Sequence, residues 1–95
     1  MGLLFEWDAD KAFANERKHG VSFEEASTVF QDPLASTIYD PDHSVDEDRY
    51  LSLGQSGKNR LLVVSFTDRD DSIRIISARA ASRRERKKYE ETSET

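Results

Sequence analysis

Apolar and polar positions follow two different periods along this chain. "LLFEW", Leu3 to Trp7, is a short apolar run that predicts a first strand, and Asp8 behind it carries the oxygen an N-cap needs. "ADKAFANERKH" follows without a breaker and predicts a helix ending at Gly20, where a residue without Cβ can turn left-handed. Ser22 and Glu25 have the S-x-x-E spacing of a capping box that opens a second helix. Phe23, Ala26 and Phe30 share one face of it, and "QDP" closes it before Pro33.

Beyond Pro33 the period becomes two. "ASTIYD", "RYLSLGQ", "RLLVVSFT" and "SIRIISAR" predict four strands, separated by the acidic loop "PDHSVDEDR" and by turns at "SGKN" and "DRDDS". The third is the most apolar and is predicted to be central. In the fourth, Ile73, Ile75 and Ser77 alternate against Arg74, Ile76 and Ala78. A basic helix, "ASRRERKKYEE", follows, with residues 92–95 as a frayed tail. The order β-α-α-β-β-β-β-α joins consecutive strands by short turns. It predicts one α+β domain over residues 1–91, a small antiparallel sheet with helices packed on it. Trp7, Phe13, Phe23, Phe30 and Phe66 are the expected aromatic core; Trp7, if half-exposed, is also a candidate to stack on a base.

Composition narrows the chemistry. The chain has 95 residues, no cysteine and a net charge of −5, so disulfides, thiolate metal sites and a cysteine nucleophile are excluded. No apolar run is long enough to span a bilayer and the N-terminus has no signal-peptide pattern, so a cytoplasmic protein with no membrane contact is expected. The acidic total conceals a split: "RAASRRERKK", Arg79 to Lys88, sets six basic residues against Glu85 alone. That segment is suited to RNA backbone, to an acidic partner surface, or to solvent.

The histidines, at 19 and 43, and the acid cluster of the 40–48 loop lack metal-ligand spacing, so no metal and no cofactor are expected. No P-loop, Rossmann fingerprint or nucleophile elbow is present. What remains is a scatter of cations and titratable groups at strand and helix ends: Lys18, His19, His43, Glu47, Arg49, Arg60, Arg79, Arg83 and Arg84. Arginines gathered by neighbouring strands suit phosphate, because each guanidinium offers a planar fork of donors. Edge charges paired with the plentiful Asp and Glu are the competing explanation.

Three segments in register, "FEWD", "KHGVSFEEA" and "IISARAASRRER", resemble the BrnT toxins, a family also known as DUF497, over about residues 5 to 90. The family's A-R-K-A reads Ala78-Arg79-Ala80-Ala81 here, one basic side chain fewer. The resemblance implies a RelE/ParE-like fold and a metal-independent endoribonuclease toxin of a type II toxin–antitoxin pair. It also implies neutralisation by a BrnA-like ribbon-helix-helix antitoxin, through which alone the toxin would reach operator DNA. Carried over to this chain, it implies catalytic roles among Lys18, His19, His43, Glu47, Arg60 and Arg79, with Trp7, Arg49, Arg83 and Arg84 as RNA contacts. A non-catalytic module acting with the antitoxin and a ParE-like gyrase poison stand as alternatives on the same fold.

Overall fold

The predicted first helix forms where the cap signals put it. In a computed structural model describing residues 3–93, Asp8 accepts from Lys11 N at 2.9 Å, α1 runs Ala9–His19, and Gly20 ends it at φ 70°. α2 spans Phe23–Thr28, begun by Ser22 Oγ, which accepts from Glu25 N at 3.1 Å, and a 3₁₀ turn over Val29–Gln31 extends it. The other half of that box is not made, because the Glu25 carboxylate turns away to Ser56 and Arg60. A complete box forms instead at Ser82 and Glu85, which have the same S-x-x-E spacing. There Glu85 N donates to Ser82 Oγ at 3.2 Å and Ser82 N donates to Glu85 Oε1 at 2.8 Å, opening α3 (Arg83–Ser93). The expected tail thus begins inside α3, and Glu94 and Thr95 lie outside the described residues.

The five strands are β1 (Phe5–Glu6), β2 (Ser36–Tyr39), β3 (Tyr50–Gln55), β4 (Leu61–Arg69) and β5 (Ser72–Ala80), in the order β1-β5-β4-β3-β2. β4 is central, as its apolar sequence predicts. β2 to β5 are antiparallel neighbours, but β1 pairs with β5 in parallel, so the sheet is mixed at that edge. Of "LLFEW" only two residues join the ladder, since the chain must leave it at once to start α1.

The core lies between the sheet and α1 and α2. Val21, Phe23, Ala26, Val29, Leu62, Val64, Ile75 and Ala78 are buried there, with Phe5, Trp7, Ala12 and Phe30 packed on the margin. Phe13 is 65% exposed, contrary to expectation, with Arg17 stacked over its ring. The helix face turned to the sheet carries Ala12 and Asn15 instead, which leaves position 13 on the outside.

A bulge resets the last strand. Ser65 faces Ser77 and Phe66 faces Ile75, so Ile76 is an extra residue on β5. Ile73 and Ile75 point into the core as the alternation predicts, but after the bulge Ala78 takes that face and Ser77 does not. The same phase change sends Arg79 to the opposite face of the sheet. On β3, Gly54 is required by packing: a Cβ there would stand 2.9 Å from both Ala35 Cβ and Val29 Cγ1.

Asn15 ties these layers together. Its amide nitrogen donates to Val21 O at 3.0 Å and Ala78 O at 2.9 Å, and its Oδ1 accepts from Ala78 N at 3.1 Å. Replacing Asn15 by Ala leaves these buried backbone groups without partners, and stability is expected to fall by about 2–4 kcal/mol. Urea denaturation midpoints of the two proteins check this.

Candidate active site

The hairpins sort the candidate residues into two groups at opposite ends of the sheet. The β3–β4 turn, residues 56–60, meets the α1–α2 corner: Arg60 Nη2 donates to Gly20 O at 3.0 Å, and Gly57 N donates to Thr28 Oγ1 at 2.7 Å. α3 crosses the same end, starting where β5 stops and reaching Asp32, whose Oδ2 accepts from Tyr89 Oη at 2.6 Å and from Gln55 N at 2.8 Å. Burial and this carboxylate push the Tyr89 phenol up to about 12. Lys18, His19, Arg60, Arg79, Arg83 and Arg84 therefore gather at one end. His43, Glu47 and Arg49 lie at the other, beside the β4–β5 turn. The length of β4 separates the groups by roughly 30 Å, at about 3.3 Å per residue. No single site holds both histidines.

Charge follows the same division. Ten of the fourteen Lys and Arg residues are at the first end, Arg17, Lys18, Lys58, Arg60, Arg79, Arg83, Arg84, Arg86, Lys87 and Lys88, against Glu16, Glu24, Glu25, Asp32, Glu85, Glu90 and Glu91. The other end holds Asp40, Asp42, Asp46, Glu47, Asp48, Asp68, Asp70 and Asp71 against Arg49, Arg69 and Arg74.

At the basic end Arg60 and Arg79 leave opposite faces of the sheet, and each already has a carboxylate. Arg60 bonds the buried Glu25 through Nε at 2.9 Å and through Nη2, and Ser56 Oγ adds a third bond to that carboxylate at 2.7 Å. Hydrogen bonding from Arg60 outweighs burial and holds the Glu25 carboxyl below its ordinary value. Arg79 makes a fork with Glu85 at 2.8 and 3.0 Å and keeps 44% of its side chain exposed. That fork, aided by Ser82, draws the Glu85 carboxyl down to about 2. Lys18, His19, Arg83 and Arg84 are exposed and have no side-chain partner among the described residues.

At the acidic end His43 Nδ1 is 2.8 Å from Asp40 Oδ2, leaving Nε2 to solvent. Glu47 pairs with Arg69 at 3.3 Å, and not with Arg49. Arg49 has a buried Nε with no acceptor, and with His43, Val45 and Glu47 it lines a pocket of about 270 Å³. Trp7 is partly buried at the core margin and packs edge-on against Phe23 at 5.9 Å between centroids. Glu25, Asp40 and Glu85, which fix Arg60, His43 and Arg79, are not among the site residues expected from sequence. Glu25 and Glu85 each have a visible signal there, the capping spacing from Ser22 and from Ser82, and Asp40 has none.

The family model described as "Ribonuclease toxin, BrnT, of type II toxin-antitoxin system" matches residues 7–85. Among solved structures, the chain is similar to the Brucella abortus ribonuclease toxin BrnT, with a TM-score of 0.62 and 24% identity, over 86% of this chain and 100% of that one. That likeness is one of fold. No curated protein matches the sequence.

The Arg79–Glu85 fork has a pH signature. A carboxyl lowered from 4.5 to about 2 stabilises the fold fully above pH 4.5 and loses that contribution as pH falls toward 2. Glu85→Gln is expected to be less stable than the parent at pH 7, with the difference shrinking between pH 4.5 and 2. Denaturation midpoints measured across that range check it.

Proposed function

From the membership of this chain in the BrnT family of ribonuclease toxins of type II toxin–antitoxin systems, we propose that it cleaves RNA at the basic end of its sheet, without a metal. The observation that carries this reading is the convergence of ten cations at the end opposite the acidic loops, which draws in a polyanion and orients it. Lys18, Arg83 and Arg84 are free to take phosphates. Arg79, held by Glu85, presents the remainder of its guanidinium on a fixed mount. Arg60 acts by holding the Gly20 carbonyl and hence the corner that carries Lys18 and His19.

The chemistry needs a base to take the ribose 2′-OH proton, so that O2′ attacks phosphorus. Cations must stabilise the phosphorane, and an acid must protonate the departing 5′ oxygen. His19 is the histidine at this end, and an imidazole has one nitrogen to accept a proton and one to donate it. Lys18 beside it supplies the charge stabilisation, while Arg79, on the other face of the sheet, contacts a flanking backbone phosphate. The products are a 2′,3′-cyclic phosphate and a 5′-hydroxyl.

A second location is favoured by one specific observation. The Asp40–His43 contact orients an imidazole as catalytic dyads do, and His43 lines one pocket with Arg49 and with Glu47 as a further proton-transfer group. The net negative charge around it opposes RNA. The family is one of ribonucleases, which disfavours both the gyrase poison and the non-catalytic module.

A type II toxin has a protein antitoxin. The finer reading, a BrnA-like ribbon-helix-helix protein that alone contacts operator DNA, is supported by family membership. Among the described residues no helix is long and apolar enough to cross a membrane; a cytoplasmic site of action fits RNA as substrate.

Purified protein incubated with RNA in EDTA is expected to leave 2′,3′-cyclic phosphate ends. His19→Ala is expected to lower the cleavage rate by about 100-fold or more, while His43→Ala stays within a few-fold of the parent. The reverse ranking moves the site to the acidic end, and loss of all cleavage in EDTA removes the metal-independent mechanism.

A further inference from the structure

β2 is an edge strand with nothing to discourage a further strand. It pairs with β3 on one side only, and all four of its residues are exposed. Exposed edges are ordinarily guarded by lysine, proline, a bulge or a covering element. Ser36, Thr37, Ile38 and Tyr39 provide no such guard. The bond from Asp40 N to Arg49 O, 2.8 Å, fixes which backbone groups are free. Asp40 and Arg49 continue the β2–β3 register as a hydrogen-bonded pair. Ile38 and Ser36 therefore turn their N–H and C=O to β3, and Thr37 and Tyr39 turn theirs outward.

The surroundings specify the chemistry of what would bind. Leu34, Ile38, Tyr39 and Val45 are exposed by 43, 54, 47 and 85% on the strand and its flanks. Three other large hydrophobics, Leu3, Leu4 and Phe13, are exposed elsewhere among the described residues. Directly after the strand comes the acidic 40–48 loop, in which His43 is the one residue able to carry positive charge. An apolar patch beside a free ladder edge asks for an extended segment with alternate apolar side chains. The loop asks for that segment to be basic.

We propose that β2 is the docking edge for the antitoxin, which adds an extended, apolar and basic segment as a sixth strand. The proposal rests on the chain's family for the existence of a protein antitoxin, and not on the location assigned to RNA cleavage.

Thr37→Pro tests it directly, because proline there removes an outward N–H without removing a backbone bond to β3, and Thr37→Val is the control for the side-chain bond from Thr37 Oγ1 to Ser52 Oγ that goes with it. Ile38→Lys tests it independently, by replacing an exposed apolar contact with a charge that repels a basic strand. Binding of the cognate antitoxin is measured by calorimetry at several NaCl concentrations, with circular dichroism and RNA cleavage of each free variant as controls. The expected result is affinity weakened by about ten-fold or more in both variants, unchanged spectra and cleavage, and parent affinity that falls with salt. Parent-like affinity in a folded Thr37→Pro or Ile38→Lys variant overturns the proposal. So does a free toxin dimer that Thr37→Pro breaks without affecting antitoxin binding, since a second copy would then be the occupant. Affinity indifferent to salt removes the basic segment. If Thr37→Pro does not fold, Ile38→Lys decides alone. A parent protein that binds antitoxin but cleaves no RNA defeats the ribonuclease site and leaves this test intact.

Discussion

The carboxamide of Asn15 does for β5 what a neighbouring strand would do. β1 covers β5 only at Ile73 and Arg74, so further along that edge Ala78 would have an N–H and a C=O facing the core with nothing to bond. Asn15 presents one donor and one acceptor at ladder distance, and directs its second N–H to Val21 O. One side chain thus closes the sheet edge, fixes the height of α1 along it and anchors the corner into α2. The position of Lys18 and His19, one turn later, follows from that anchor. So does the Gly20 carbonyl that Arg60 reaches.

Hairpin geometry does the sorting of charge. Antiparallel strands return the chain to alternate ends, so turns one apart in sequence lie at opposite ends in space. The basic helix, the α1 corner and the 56–60 turn fall together, while the 40–48 loop and the 70–71 turn fall together elsewhere. The basic end contains two kinds of cation. Arg60 and Arg79 are bonded to Glu25 and Glu85, which limits their freedom and sets their direction. Lys18, Arg83 and Arg84 are long, free and hydrated. An arginine on a carboxylate mount gives geometry, whereas an unpaired lysine or arginine gives attraction. A phosphate-handling surface needs both.

Local signals are legible in the sequence where the physics is local. Asp8, Gly20 and Ser22 cap as their chemistry requires, and the apolar run in "RLLVVSFT" identifies the central strand. Signals fail where a distant group competes. Glu25 has the spacing of a capping residue, but Arg60, thirty-five positions away, offers its carboxylate a charged and multiple bond in place of a single backbone N–H. Phe13 has the aromatic character of a core residue, yet α1 turns Asn15 inward to serve Ala78. The two histidines are equivalent candidates in sequence and are separated by the length of β4.

The sequence by itself determined the elements, their order and the family, because caps, turns and hydrophobic period are encoded within a few residues of where they act. It also determined that a cationic segment exists. Only the tertiary structure decided which cations share an end, which are held by acids, and which face of the sheet receives Arg79. That last choice turns on the extra residue Ile76: a bulge shifts the side-chain phase by one, and its placement depends on how β5 fits β4 rather than on β5 alone. The parallel pairing of β1 and the unguarded edge of β2 are decisions of the same kind, since a strand's neighbours are not written in the strand.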